Sequence, residues 1–124
     1  MDSSPKKILV VENDELTLVL ISHILTRQSY VVHTSLDGAE AAEMLERNDY
    51  AAVLLDLKMP HGGVDLIRRI EALNPALLKR IIVVTGALDE AARLSGIPVC
   101  AIVKKPFEIH DFIVTVRSCI EREQ

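Results

Sequence analysis

Four short apolar runs recur along the chain. They read ILVV (8–11), AAVLLD (51–56), RIIVVT (80–85) and PVCAIV (98–103), and a weaker fifth, YVVHTS, covers 30–35. Runs of this length, without strict alternation of apolar and polar residues, are typical of parallel strands that are buried on both faces. The pattern therefore predicts five strands.

Between these runs, apolar residues recur at intervals of three and four, as on one face of a helix. They stand at Leu16, Val19, Leu20 and Ile24; at Ala39, Ala42 and Leu45; at Leu66, Ile67, Ile70 and Leu73; and at Phe112, Ile113, Val116 and Ile120. After Thr85, only about two or three helical turns fit before Gly96 and Pro98. Strand and helix thus alternate, and the fourth helix is expected to be short.

This alternation in a chain of 124 residues predicts a single α/β domain. Right-handed crossovers between parallel strands place helices on both faces of a sheet, so we expect a doubly wound, five-stranded parallel sheet. We assign residues 8–121 to this domain, 1–7 to a frayed N-terminal lead and 122–124 to a C-terminal tail. In such sheets, functional sites form beyond the carboxyl ends of the strands.

Composition narrows the classes of function. The formal charge of −4 offers no basic stripe, so direct binding of nucleic acid is not expected. The chain has no apolar run of about 18 residues and no apolar signal-peptide centre, so we expect no membrane span and a cytoplasmic location. Cys100 and Cys119 lie in apolar stretches and are expected to be reduced, with a bridge between them as the disfavoured alternative.

Polar residues gather where the predicted strands end. Glu12, Asn13 and Asp14 follow the first strand, Asp56 ends the third, Thr85 ends the fourth and Lys105 follows the fifth. Converging carboxylates repel one another unless a cation is present, and a hard cation with oxygen ligands, best Mg2+, suits them. A carboxylate nucleophile, a lysine and a hydroxyl are groups that suit phosphoryl chemistry.

Four motifs together resemble one family, the receiver domain of bacterial two-component response regulators (the CheY-like superfamily). They are the acidic group after the first strand, LLDLKMP, VVTG and VKKPF, each at the end of its own strand. The resemblance spans nearly the whole chain and implies a flavodoxin-like fold with strand order 2-1-3-4-5. It also implies a phosphoacceptor in a phosphorelay, with a histidine kinase or phosphotransfer protein as donor and a downstream protein or attached effector domain as target. The resemblance further implies that the chain catalyses at most its own phosphorylation and slow autodephosphorylation.

The resemblance assigns a role to each matching residue. Asp56 is the phosphoacceptor; Lys105 and Thr85 bind the phosphoryl group; Glu12, Asn13, Asp56 and the backbone carbonyl of Lys58 hold Mg2+; Thr85 and Ile102 occupy the switch positions. Asp14 is assigned from its neighbours instead. Apolar helix positions follow it directly, so it is expected to be the N-cap of the first helix.

Three features depart from the family pattern. Asn13 stands where the family usually has an acid, and because an amide carries no charge we predict weaker Mg2+ binding than in an all-acid pocket. Ile102 stands where the family often has Tyr or Phe. Gly62 and Gly63 shorten the loop after Asp56, whose backbone we expect to be mobile. Two alternatives stay open: a pseudo-receiver, which is a phosphorylation-independent protein-interaction domain, and a small phosphatase suggested by ENDELT.

Overall fold

The computed structural model describes residues 4–59 and 62–122. Its strands are β1 (Lys7–Val11), β2 (Val31–Ser35), β3 (Ala52–Leu55), β4 (Ile81–Thr85) and β5 (Ala101–Lys104). They form one sheet in the order β2-β1-β3-β4-β5, with every neighbouring pair parallel. The predicted five-stranded parallel sheet and its strand order are therefore confirmed.

Helices cover both faces of this sheet. They are α1 (Glu15–Arg27), α2 (Gly38–Arg47), α3 (Gly63–Leu73), α4 (Leu88–Ala92) and α5 (Ile109–Arg122), and a 3-10 helix (Pro75–Arg80) leads into β4. Apolar side chains of α1 and α5 pack on one face of the sheet, and those of α2, α3 and α4 pack on the other. The short α4 agrees with the prediction. In the described part of the chain, no helix is long and apolar enough to cross a membrane.

The predicted domain boundaries stay a prediction, and the elements of the structure begin and end near them. β1 begins at Lys7, within the predicted lead, and α5 extends to Arg122, the first residue of the predicted tail. Residues 1–3 of the lead and residues 123 and 124 of the tail lie outside the described residues.

The apolar run at 98–103 does not form a strand buried on both faces as predicted. β5 begins three residues later, at Ala101, and within the sheet it pairs with β4 alone. Because β5 is an edge strand, its residues alternate in exposure, and 47% of Ile102 is exposed. The central strands β1, β3 and β4 account for the fully buried runs.

The buried face of α1 differs from the predicted one. Ile21, Ile24 and Leu25 pack against the sheet, whereas 81% of Leu16 and 66% of Val19 are exposed. The segment LTLVLISHIL is apolar around most of the helix, so helical spacing fits two overlapping faces. Packing against the sheet selects one of them and leaves the other on the surface.

The expectation that the two cysteines are reduced is wrong for this structure. Cys100 and Cys119 form a disulfide, with their Cα atoms 6.1 Å apart. The chain rises about 3.3 Å per residue along β5 and returns about 1.5 Å per residue along α5, so the helix brings Cys119 back to the start of the strand. The crossover, which spacing alone does not reveal, therefore pairs the two side chains.

Candidate functional site

The buried polar and charged residues of the described chain all lie at the carboxyl ends of strands. Glu12 follows β1, Ser35 ends β2, Asp56 follows β3 and Thr85 ends β4. This is the edge where sites form in parallel α/β sheets. An ionised carboxylate is costly to bury unless it is paired, so Glu12 and Asp56 need a counter-charge.

Lys105 supplies that counter-charge. Its Nζ donates to Oε2 of Glu12 at 2.5 Å and to Oδ2 of Asp56 at 3.0 Å. Lys105 directly follows β5, and its backbone N–H donates to the carbonyl of Thr85 at 3.0 Å, which ties its position to the end of β4. The structure thus brings together three charged residues that sequence reasoning expected to converge.

The pKa values of Glu12 and Lys105 reflect burial first and then the pairing between these groups. Burial raises the pKa of Glu12 above its ordinary value, against the opposing effect of its hydrogen bonds from Lys105 and the Asp14 backbone. Burial alone would lower the pKa of Lys105, but its hydrogen bonds to Glu12 and Asp56 outweigh that effect and raise it. Two carboxylates share one ammonium group, so the site is short of positive charge.

Asp56 is held from several sides. Its Oδ1 accepts a hydrogen bond from the backbone N–H of Lys58 at 3.1 Å, while Oδ2 contacts Lys105. A Cβ on Gly63 would lie 2.5 Å from the carbonyl oxygen of Asp56, so only glycine lets α3 begin this close to the site. Gly62 has a φ of 65°, in the left-handed region that favours glycine. The expected mobility of this loop stays a prediction, and its residues 60 and 61 lie outside the described residues.

Thr85 is fully buried at the end of β4. Its Oγ1 accepts a hydrogen bond from the backbone N–H of Ala87 at 3.0 Å, which connects the hydroxyl to the loop between β4 and α4. Within the described residues, no hydrogen bond joins this hydroxyl to Asp56 or Lys105. The side chain of Ile102 is on the exposed part of β5, away from the buried core.

The remaining predicted residues lie at the surface of the site. Asp14 is the N-cap of α1, as the sequence indicated, and its side chain accepts from the backbone N–H of Thr17 at 3.1 Å. Its own N–H donates to Oε1 of Glu12 at 3.1 Å. Asn13 and Lys58 are exposed, beside the buried Glu12 and Asp56 respectively. Asp14 therefore orders the helix start, and Asn13 keeps a free surface position.

The oxygen atoms at this edge are compatible with Mg2+. The described residues contain no group of three or more His, Cys, Asp or Glu side chains placed to hold a metal. Mg2+, however, usually keeps several waters and binds through one or two carboxylates together with phosphate oxygens. Glu12 and Asp56 supply two carboxylates, so the donor set fits this open type of site.

Sequence reasoning missed an exposed apolar stripe on α1, formed by Leu16, Val19 and Leu20. All three side chains are exposed, and the helix that carries them begins next to Asp14 and Glu12. The sequence carries the signal, since these three residues have the spacing of one apolar helix face. Periodicity alone does not tell whether such a face packs in the core or stays on the surface.

Comparisons with known proteins agree on one family. A family model described as the response regulator receiver domain matches residues 8–117. The transcriptional regulatory protein SrrA of Staphylococcus aureus is 30% identical over 120 residues, which cover 95% of this chain and 49% of that protein. The chain therefore spans about half the length of the curated relatives that it matches.

Solved structures resemble this fold over almost its full length. The signal receiver domain of an HD domain-containing protein from Pseudomonas fluorescens Pf-5 superposes with a TM-score of 0.88 at 21% identity, covering 99% of this chain and 92% of that one. The receiver domain of the sensor histidine kinase PA1611 from Pseudomonas aeruginosa PAO1 has a TM-score of 0.84 at 25% identity, covering 94% and 98%. That crystal structure has a magnesium ion coordinated in its active-site cleft.

Proposed function

The chain belongs to the response regulator receiver domain family, and we propose that it is a phosphoacceptor module that receives a phosphoryl group on Asp56. The observation that carries the proposal is the position of Asp56, buried at the end of β3, with one carboxylate oxygen on Lys105 and the other on the Lys58 N–H. No other aspartate in the described chain combines burial with such contacts.

The proposed reaction is transfer from a phosphohistidine. A carboxylate oxygen of Asp56 attacks phosphorus, an O–P bond forms and the P–N bond to the donor imidazole breaks. The imidazole nitrogen leaves with the electron pair and takes up a proton. Lys105 then faces the new acyl phosphate, where its charge offsets the added negative charge.

Mg2+ is the cofactor that we propose for this step. Glu12, Asp56, Asn13 and the carbonyl of Lys58 would hold it, and when bound it would neutralise phosphoryl oxygens. The shortage of positive charge around Glu12 and Asp56 supports this assignment, as does the magnesium ion in the PA1611 receiver domain. Because Asn13 carries no charge, we expect the affinity to be lower than with an acid at this position.

We propose that the phosphohistidine donor, a histidine kinase or a phosphotransfer protein, docks on the α1 stripe formed by Leu16, Val19 and Leu20. A donor that presents its histidine to Asp56 must cover the surface next to Glu12 and Asp14, where this stripe begins. Exposed Leu and Val side chains are costly in water and favourable in an interface core. A partner with an apolar helix face fits them.

Phosphorylation is proposed to act through Thr85. Its hydroxyl accepts a hydrogen bond from the loop after β4 at Ala87, and a phosphoryl group on Asp56 would accept a hydrogen bond from the same hydroxyl, which would connect Asp56 to that loop. Ile102 cannot form the hydrogen bonds of a Tyr at that position, so we expect the signal to be carried by this loop. The receiving partner is a downstream protein or an attached effector domain.

The cellular setting is also part of the proposal. We propose a cytoplasmic location, because the donors of such relays carry their phosphohistidine there. The expectation that nucleic acid is not bound directly concerns these 124 residues. The SrrA relative is named as a transcriptional regulator, and the matched region is about half of it.

The test uses acetyl phosphate and Mg2+ followed by intact-mass measurement. The parent chain should gain one phosphoryl group, Asp56→Asn should gain none, and Asp89→Asn, an exposed aspartate at the start of α4, should behave as the parent. An adduct in Asp56→Asn would show that a residue other than Asp56 accepts the phosphoryl group. If the parent gains no adduct with any divalent cation from acetyl phosphate or a protein donor, the proposal fails and the pseudo-receiver becomes the better interpretation.

A further inference from the structure

A cleft lies at the end of the sheet opposite Asp56, at the start of β5. Its volume is about 310 Å³, and it is lined by Lys79, Pro98, Val99, Cys100 and Arg122. Two cations and one sulfur-bearing residue therefore face the same space, and no acidic residue lines it. Neither Lys79 nor Arg122 forms an ion pair with a residue that the structure describes.

The disulfide can be approached from one side only. Cys100 is half-buried and lines the cleft, whereas Cys119 is 3% exposed and packs in the core under α5. Disulfide exchange requires direct attack on one sulfur, so access decides which sulfur reacts. Cys100 is the more exposed of the two residues, so we expect a thiolate to attack its sulfur.

The charges around Cys100 select the attacking molecule. Lys79 and Arg122 give the cleft two positive charges, which should attract anions toward Cys100. Disulfides in the proposed compartment are usually catalytic or redox-sensing. We propose that Cys100 is a thiol–disulfide exchange site for a small anionic thiol.

The exchange balances with two molecules of thiol. A thiolate attacks the sulfur of Cys100, the Cys100–Cys119 bond breaks, and the sulfur of Cys119 leaves with the electron pair and takes up a proton. The product is a mixed disulfide on Cys100. A second thiolate attacks the thiol-derived sulfur of this mixed disulfide, which releases Cys100 as a thiol and oxidises the two small thiols to their own disulfide.

Exchange would untether α5 from β5 while leaving the fold in place. Phe112, Val116 and Ile120 bury α5 against the sheet independently of the bridge. The reduced chain should therefore stay folded, which makes the exchange reversible. The exchange at Cys100 does not involve Asp56, and only the compartment is taken from the proposed function.

The first experiment compares two thiols on the oxidised chain. Reduced glutathione is anionic and cysteamine is cationic, and each rate of disulfide opening is followed by alkylation and intact mass, then divided by that thiol's rate with a neutral small disulfide. At low salt we expect glutathione to be favoured by about tenfold or more, the lower end of electrostatic rate effects. Salt should reduce the preference.

Charge variants show whether the cleft causes the preference. Lys79→Ala with Arg122→Ala should reduce it by about fivefold or more. Arg47→Ala with Lys104→Ala removes the same net charge from exposed residues outside the cleft and should leave it unchanged. An equal normalised rate for both thiols, or a preference that survives loss of Lys79 and Arg122, overturns the proposal.

The position of the adduct gives an independent readout. With oxidised glutathione, Cys119→Ser should form a mixed disulfide on Cys100, because its thiolate attacks one glutathione sulfur and releases the other as reduced glutathione. Cys100→Ser should react at least about tenfold more slowly in the folded state, since access limits exchange. Equal labelling of the two variants, or two free thiols in the parent after oxidation with diamide, contradicts the assignment.

Discussion

The two ends of the sheet are stabilised by different interactions. At the carboxyl ends of the strands, two buried carboxylates share the ammonium group of Lys105. At the amino ends, the described residues contain no buried carboxylate, lysine, arginine or histidine, and a disulfide joins Cys100 to Cys119. One end is held by charges that can be redistributed, and the other by a covalent bond.

This difference separates the end of the molecule that we propose to react with phosphoryl groups and cations, the reactive end, from the end that carries the disulfide. Glu12 and Asp56 are costly to bury, and their pairing with Lys105 only partly offsets that cost. We expect such a site to rearrange its ion pairs when a phosphoryl group or a cation arrives. The amino end gains nothing from either, so changes there should alter stability without altering phosphorylation.

Removal of Lys105 should cause the largest loss of stability, because it supplies the counter-charge at the carboxyl ends of the strands. Lys105→Met leaves two buried carboxylates without a counter-charge, so the free energy of unfolding should fall by about 3 kcal/mol, the low end for a broken buried pair because the lysine is partly exposed. Denaturant unfolding at neutral pH measures this. Lys104→Met, at the exposed neighbouring position, should cost less than about 0.5 kcal/mol. Equal losses in the two variants would contradict the pairing.

The pH dependence of stability gives a second test of the pairing of Lys105 with Glu12 and Asp56. Because the pKa of Lys105 is raised in the folded state, its contribution to stability is fully present below the unfolded value of 10.5 and is lost as pH rises through the folded pKa. Burial also raises the pKa of Tyr50, whose contribution is lost in a similar alkaline range. Lys105→Met should therefore keep only the Tyr50 part of the alkaline decline. An unchanged decline would mean that Lys105 is not paired in solution.

Loss of the Cys100–Cys119 disulfide should lower the stability of the domain without changing its phosphorylation. Cys100→Ser with Cys119→Ser should lower the free energy of unfolding by about 2–3 kcal/mol relative to the oxidised parent, because the open chain gains entropy when unfolded. The rate of phosphorylation by acetyl phosphate should stay within about twofold of the parent's. Parent chain treated with a reductant provides the matched comparison for stability. A tenfold change in phosphorylation would show that the two ends are coupled.

Much of this arrangement could be predicted from the sequence. The apolar runs that form β1, β3 and β4 are buried on both faces, and that pattern identifies parallel strands wherever they lie inside the sheet. The carboxyl-edge rule then brings Glu12, Asp56 and Lys105 together without knowledge of side-chain positions. Both inferences depend on local pattern and topology alone.

The errors have a different physical origin. The exposed face of α1, the edge position of β5 and the Cys100–Cys119 bridge all depend on which elements become neighbours in three dimensions. A helix that is apolar around most of its surface does not indicate which side meets the sheet. Likewise, the separation of two cysteines in sequence does not reveal that a strand and the returning helix place them side by side.

Substitutions on the exposed apolar stripe of α1 test whether a protein donor reaches the reactive end through this surface. Leu16→Glu with Val19→Glu should reduce transfer from a protein phosphohistidine donor by about tenfold, as loss of a central interface contact does. Phosphorylation by acetyl phosphate, which needs no docking surface, should be unchanged. Thr26→Glu, exposed near the far end of the same helix, is the matched control. A loss with both donors would indicate damage to the site rather than to docking.

Asn13→Asp should give the smallest effect and bears directly on the charge of the reactive end. The substitution adds a carboxylate beside Glu12, at a site where two acids already share one lysine. A charge at about 4 Å from the cation in a water-exposed setting contributes about 1 kcal/mol, so Mg2+ should bind about fivefold more tightly in a calorimetric titration. The gain should shrink as salt is added.

The matched control places the same new charge at the opposite end of the molecule. Asn74 is exposed just before the 3-10 helix that leads into the start of β4, so Asn74→Asp should leave Mg2+ affinity unchanged. If the two variants bind Mg2+ equally well, residue 13 does not contact the cation. If only Asn13→Asp binds Mg2+ more tightly, the uncharged amide of Asn13 limits the affinity for Mg2+. It then also limits how often a cation is present to offset the negative charge of Asp56.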